Sequence, residues 1–315
     1  MPIDSEILPY VAQFEQTLGA PLHHIEPVEL RKLTSRVGSI ARPADVAVSD
    51  RVVVHAGREV PVRIYRPVVA SRASRHALLF FHGGGWVVGS VDSYDDVAVD
   101  IALSARCTVI SVEYSLAPER RYPAALRDGE AVIDWLEMHA AELDIDPEHV
   151  AIGGDSAGGN LAAALCVKYR DRGGRMPFRF QWLLYPALDV DVDRPSYLAN
   201  AEAPILGRNT MIWFLHQYLG DAWRAPDVYA APYRVRKLAG LPAAFIHTAS
   251  FDPLHDEGAE FAEQLKTAGI RCLHRNAGDL VHGFIRMRNI STRARIEFAA
   301  ACAALEDGLS ETRTT

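Results

Sequence analysis

Cysteine is scarce in this chain, with four in 315 residues. Cys107, Cys166, Cys272 and Cys302 stand far apart, with no C-x-x-C pair and no histidine at ligand spacing. A disulfide scaffold is thereby excluded and a zinc site gains no support; reduced thiols within apolar patterns are the expectation. Long hydrophobic runs are missing too. No stretch approaches the roughly 20 apolar residues of a membrane-spanning helix. Basic charge is outnumbered, 33 Lys and Arg against 40 Asp and Glu, for a net charge of −7. Without a basic stripe there is no electrostatic footprint for nucleic acid. The arginines between Arg66 and His76 sit among Ser and Ala with no aromatics, and read as a solvated loop. No G-x-G-x-x-G, P-loop or H-E-x-x-H sequence occurs, so no organic cofactor and no metal is expected. Met1 to Glu6 show neither a basic nor an apolar leader pattern, and a cytoplasmic location is expected.

What the chain does have is two glycine-rich turns about seventy residues apart, each in a telling context. Ala77-Leu78-Leu79-Phe80-Phe81 is almost wholly apolar, as expected of a parallel strand buried on both faces. His82-Gly83-Gly84-Gly85-Trp86 begins where that run stops. Val150 to Gly153 is a second short run, and it enters Gly154-Asp155-Ser156-Ala157-Gly158. Ala157 to Tyr169 is rich in Ala and Leu, lacks Pro and reads as a helix. Strand, sharp turn and helix are what a G-x-S-x-G turn needs to hold a serine hydroxyl out at the end of a sheet. Glycines at 154 and 158 fit because a strained turn leaves no room for neighbouring β-carbons. The bare backbone of the upstream loop can aim N–H groups at a developing oxyanion. Together the two turns read as an acyl-transfer site.

A serine hydroxyl is a weak nucleophile without a base, and the base needs an orienting carboxylate. In this strand–turn–helix setting the chain order is Ser, then Asp or Glu, then His. Ala243 to Ala249 reads as a strand, and Asp252 sits just past its carboxyl end, where α/β sheets gather ligands. Asp256 is the fallback, although Asp256 and Glu257 also suit the first turn of a helix running to Thr267. Arg271 to Arg275 looks like a last strand, followed by a loop from Asn276 to Val281. His282 then stands between loop and helix, free to swing toward the serine. His247 and His274 lie in or near strands, and His139 and His149 precede the serine.

These residues carry a resemblance. The segments HGGGW (82–86), EYSLAPERRYPAALRD (113–128), GDSAGG (154–159), DPLHDEG (252–258) and VHGF (281–284) resemble the hormone-sensitive-lipase-like bacterial esterases of the α/β-hydrolase family. The resemblance spans roughly residues 75 to 290 and implies that fold, a mostly parallel sheet flanked by helices with a helical cap. It also implies a carboxylesterase acting on short to medium acyl esters, with Ser156 as nucleophile, Asp252 as acid and His282 as base. Gly84, Gly85 and Ala157 look like oxyanion-hole donors, with Gly83 a further candidate. Ser115 departs from the pattern, standing where such proteins often carry arginine, which puts a local salt bridge in doubt. Asp155, Glu119 and Asp128 read as structural.

One domain accounts for the length, with cap elements expected from 1–45 and 189–240. In the first, Ile7, Tyr10, Val11, Phe14 and Leu18 share a helical face, and Leu30, Leu33 and Val37 suggest a second helix. Arg51 to His55 and Glu59 to Tyr65 read as a hairpin. In the second, prolines at 195, 204, 226 and 232 break the alternation, around a helix from Thr210 to Leu219 capped by Asn209 and Gly220. Trp86, Trp213 and Phe214, with Leu215 and Tyr218, are candidates to line a substrate pocket; an aromatic stripe that only packs the cap onto the sheet is the alternative. The expected partner is a small-molecule ester, with no nucleic acid or membrane, and a homodimer left open. A non-catalytic receptor-like binding module, and amidase or lyase chemistry on the same site, are the competing functions.

Overall fold

The short apolar runs pair into one eight-stranded sheet. The computed structural model describes residues 2–35, 43–68 and 75–311. The chain enters through α1 (Leu8–Leu18) and α2 (Pro27–Thr34), then forms β1 (Val46–His55) and β2 (Arg58–Pro67). From β3 (Ala77–Phe81) onward strands and helices alternate: α3 (Asp95–Ser104), β4 (Thr108–Val112), α4 (Ala124–His139), β5 (Val150–Asp155), α5 (Ala157–Arg172) and β6 (Phe180–Leu184). Two helices interrupt the alternation, α6 (Pro195–Ala199) and α7 (Arg208–Leu219). It resumes as β7 (Ala243–Phe251), α8 (His255–Thr267), β8 (Cys272–Val281) and α9 (Thr292–Ser310). Strand order is β1-β2-β4-β3-β5-β6-β7-β8, with β2 antiparallel to both neighbours and every other pair parallel.

Side-chain alternation in the strands builds two cores, one on each face. Leu79 and Phe81 of β3 pack with Leu126 and Ile133 of α4, Leu161 and Leu165 of α5, and Phe261 of α8. Leu78 and Phe80 pack on the other face with Val97 and Ile101 of α3 and with Ala301 and Leu305 of α9. Every residue of β3, β4, β5 and β6 is buried, which is why these strands lack the polar alternation of a half-exposed sheet. Each large apolar side chain so buried contributes about 1.5–3 kcal/mol. Among the described residues no helix is long and apolar enough to cross a membrane.

The β1–β2 hairpin closes through Ala56 and Gly57, with φ of 48° and 73°, the two left-handed residues of a hairpin turn. Its strands run longer than the sequence suggests. Two other expectations need correction. Asn276 to Val281 is not a loop: β8 continues through it, because Asn276 and Ala277 pair with Thr248 and Ala249 and a register shift carries the ladder to Val281. Pairing with a neighbour outweighs the turn preference of Asn, Gly and Asp. The α7 helix begins at Arg208 with Gly207 as its N-cap, which leaves Asn209 inside the first turn; Gly220 does end it. Val37 and 69–74 of the arginine-bearing run lie outside the described residues.

Buried ion pairs tie helices to the sheet. Glu297 of α9, fully buried, accepts from His247 of β7 at 3.1 Å and from Arg293 at 3.0 Å, and pairs with Arg275 of β8. Burial alone raises the Glu297 pKa, but the hydrogen bonds from His247 and Arg275 outweigh it and bring the value down to about 2. A carboxyl depressed in the folded state stabilises the fold above its unfolded value, roughly 4.3, and that contribution is lost as pH falls toward 2. Glu297→Gln is therefore expected to lower Tm at pH 7 by on the order of 5 °C. The Tm gap between variant and wild type should narrow as pH falls from roughly 4.3 toward 2. Thermal melts at several pH values check this, and a gap constant with pH contradicts it.

Candidate active site

Ser156 sits between β5 and α5 with φ 55° and ψ −120°, a backbone conformation that costs a residue with a β-carbon about 1–3 kcal/mol. Its surroundings hold it there. Ser156 N donates to Leu184 O at 2.9 Å, and its carbonyl accepts from Asn160 N at 3.1 Å and Ala187 N at 3.2 Å. The turn is packed directly under β3: a β-carbon at Gly158 or Gly154 would overlap the Phe81 carbonyl. Both glycines of the motif are thus demanded by close approach.

The carboxyl ends of β7 and β8 bring two further side chains to the serine. His282, immediately after β8, places Nε2 at 2.9 Å from Ser156 Oγ and Nδ1 at 2.7 Å from Asp252 Oδ2. Asp252 follows β7 and is fully buried, while Ser156 and His282 keep slight exposure. Its other oxygen accepts Leu254 N at 2.9 Å, which fixes the carboxylate plane. An ionised carboxylate only accepts, so Nδ1 carries the proton and Nε2 presents a lone pair to the hydroxyl. Tyr185 lies edge-on to the imidazole, 4.8 Å between centroids, and limits its swing. Asp256 is occupied elsewhere: in the first turn of α8 it accepts Ser196 N at 2.8 Å, holding the start of α6.

The glycine loop lies across from the serine. Gly84 has φ 119°, and a β-carbon there would strike the Val88 carbonyl; Gly85 has φ 59° with the Phe214 ring against it. The amides of Gly84, Gly85 and Ala157 find no acceptor among the described residues. Gly83 must be removed from the candidate donors. Its amide donates to Asp155 Oδ1 at 2.8 Å, so that hydrogen is spent inside the protein. Asp155 also accepts from the Tyr94 hydroxyl at 3.0 Å and thereby latches the loop to the elbow. Burial pushes the Asp155 pKa up against the lowering effect of those bonds. His82, fully buried, is stacked on Tyr114 at 4.3 Å and bonded through Nδ1 to Gly83 O at 2.8 Å. Burial brings its pKa down to about 4, so it is neutral at pH 7.

These parts face a cavity of about 450 Å³ walled by Tyr10, Phe14 and Leu18 of α1, Leu33 of α2, and Met211 and Phe214 of α7. Trp86 lines it too, stacked on Tyr218 at 4.3 Å. Trp213 does not line it. Met211 and Phe214 are three residues apart and share the cavity face of α7, whereas Trp213 falls off that stripe and packs edge-to-face on Phe214 at 5.2 Å. Leu215 and Tyr218 are buried in the packing beneath. Arg31 of α2 anchors the loop by donating to Val87 O and Ala117 O, and by pairing both its amino groups with Glu119. The segment around Ser115 keeps an ion pair without a local arginine: Asp128 accepts the Ser115 amide at 2.8 Å and Arg58 Nε at 2.6 Å. Tyr94, Tyr185 and Arg286 also border the site, and sequence reasoning missed them. Each is a single residue on its own element, with no spacing signal.

A family model described as the α/β hydrolase fold matches residues 78–286. The chain is 39% identical over 271 residues to carboxylesterase NlhH of Mycobacterium tuberculosis, covering 84% of each. It is 34% identical over 279 residues to the ethyl acetate hydrolase of Pseudomonas putida, covering 87% of this chain and 88% of that one. Among solved structures, a thermostable esterase from Pseudomonas putida ECU1011 superposes with a TM-score of 0.91 at 27% identity, covering 99% of both chains.

The packing of the elbow can be tested without any assay of chemistry. Gly158→Ala forces β3 and the turn apart and should cost about 3 kcal/mol or more. Gly173→Ala, at φ 74° but in open space, should cost only about 1–2 kcal/mol. Denaturant titrations of the two variants provide the comparison. Equal losses would show that the close approach at Gly158 is not what demands glycine.

Proposed function

The chain belongs to the hormone-sensitive-lipase-like esterases of the α/β-hydrolase family and is an ester-hydrolysing enzyme, and from that premise we propose that Ser156, His282 and Asp252 carry out the hydrolysis on short to medium acyl esters. The observation that supports this most directly is the unbroken line of two hydrogen bonds from Asp252 through His282 to Ser156.

In this reading Ser156 Oγ attacks the ester carbonyl carbon as its proton passes to His282 Nε2. Asp252 keeps the imidazole in the tautomer that accepts and stabilises the imidazolium that forms. The carbonyl electron pair becomes an oxyanion, which accepts hydrogen bonds from the free amides of Gly84, Gly85 and Ala157. Collapse expels the alkoxide, protonated by His282, and leaves an acyl group on Ser156. Water then attacks the acyl carbon, giving its proton to the same nitrogen; the bond to Ser156 Oγ breaks, Oγ takes that proton back, and the acid departs. Asp155 acts at one remove: by holding Gly83 and Tyr94 it aims the loop. The described residues of 1–45, with 189–240, serve as the cap, supported by the cavity contacts of α1, α2 and α7. The cavity's modest volume favours short to medium acyl chains over long ones.

Ser156→Ala is expected to remove ester turnover while leaving the thermal melt within a few degrees of wild type. Asp252→Asn should lower kcat by up to about 10⁴-fold, since an amide supports the wrong tautomer, whereas Asp256→Asn should change it less than about threefold. Steady-state kinetics on p-nitrophenyl esters of two to twelve carbons (about the range from acetate to laurate), run beside the matching amides, measure all of these. Retained turnover in Ser156→Ala, or a larger loss at 256 than at 252, would overturn the assignment.

A further inference from the structure

Arg286 is out of keeping with the other well-covered arginines of this protein. Arg288, two residues on, pairs with Asp96 at 2.7 Å and Asp100 at 2.6 Å; Arg194 pairs with Asp189 at 2.8 Å and Glu260 at 2.5 Å. Arg286 pairs with no carboxylate among the described residues. Its guanidinium lies over the Tyr94 ring, 4.6 Å from the centroid, and the residue lines the same cavity as Ser156 and His282. Two carboxylates that act on it through space, Asp155 and Asp96, are already engaged. Asp155 accepts from Gly83 and Tyr94, and Asp96 holds Arg288.

A guanidinium brings five donors in a planar fork that matches a carboxylate, and a cation taken partly out of water without a partner is costly unless a ligand supplies the anion. The position is set by the fold. Arg286 lies in the short helical turn Phe284–Met287, one turn after His282, and Tyr94 connects it to Asp155 beside the nucleophile. Tyr10 and Tyr94 flank it, while Phe14, Leu18 and Met287 make the adjoining wall apolar. A cation at one end, a nucleophile at the other and apolar walls between suit a molecule with an anionic tip, a hydrocarbon spacer and an ester. The single positive charge matches a monoanionic carboxylate better than a phosphate dianion, whose second charge would face Asp155.

We propose that Arg286 makes this cavity a site for esters that bear a carboxylate, such as half-esters of dicarboxylic acids, and so determines substrate selectivity. The proposal rests on the reading of Ser156 as nucleophile. The test compares monoethyl adipate with ethyl hexanoate, matched in carbon count along the acyl chain, by ethanol release from the wild type, Arg286→Met and Arg286→Lys. Arg286→Met should lower the ratio of kcat/KM for the half-ester over the neutral ester by about tenfold to a hundredfold, chiefly through KM of the half-ester. Arg286→Lys should fall between. In the wild type alone, KM for the half-ester should rise with added sodium chloride while that for ethyl hexanoate stays flat. A ratio moved by less than about threefold in Arg286→Met, or a salt-independent KM in the wild type, overturns the role of Arg286. A wild type that hydrolyses neither ester, or a Ser156→Ala variant as active as wild type on ethyl hexanoate, overturns instead the reading of the nucleophile.

Discussion

The arrangement depends on one close contact, the packing of the turn after β5 against the Phe81 carbonyl at the end of β3. Only glycine at 154 and 158 allows the two strand ends to lie so near. That nearness puts the serine hydroxyl opposite the glycine loop, because the loop starts at His82, the next residue along β3. The positive φ of Ser156 is tolerated because backbone hydrogen bonds on both sides hold the turn. The parallel sheet itself thus brings Ser156 and the glycine loop to the wall of one cavity. In free-energy terms, the sheet core stabilises what the turn costs.

Asp155 extends that contact into a network. One buried carboxylate receives the Gly83 amide and the Tyr94 hydroxyl, so the loop, the turn after β5 and the residue before α3 are tied together. Desolvation works against the charge, and the two donors offset only part of it. The same network removes Gly83 from the donors available to substrate, and it orients Tyr94 with its ring toward Arg286. A residue adjacent to Ser156 thus touches both the glycine loop and, through Tyr94, the far wall of the cavity.

The helices over the cavity are attached by polar ties as well as apolar packing. Arg31 reaches from α2 to two carbonyls near the glycine loop and to Glu119. The Arg31–Glu119 pair is partly exposed, and with the two carbonyl contacts it fixes α2 against the loop. Helix α2 is consequently joined to the segment that follows the glycine loop.

Much of this was legible in the residues. The apolar runs gave β3 and β5, the Ala-rich stretch gave α5, and the two glycine motifs pointed to the candidate site, because each is a local pattern whose cause is local sterics. Chain order narrowed the acid to Asp252 or Asp256 and the base to His282. What lay beyond local pattern was decided by neighbours. β8 runs through an apparent loop because β7 offers it partners. Gly83 is spent on Asp155, seventy-two residues away in the chain, and its chemical environment is no different in sequence from that of Gly84. Trp213 misses the cavity by the angle of a helix that only packing fixes. Arg286 is one arginine among many until the fold sets it against Tyr94, with no carboxylate paired to it among the described residues. Backbone sterics and apolar periodicity act between residues close in sequence and can be read there; hydrogen-bond partners, cavity walls and unpaired charge are relations between distant segments, and only the folded chain determines them.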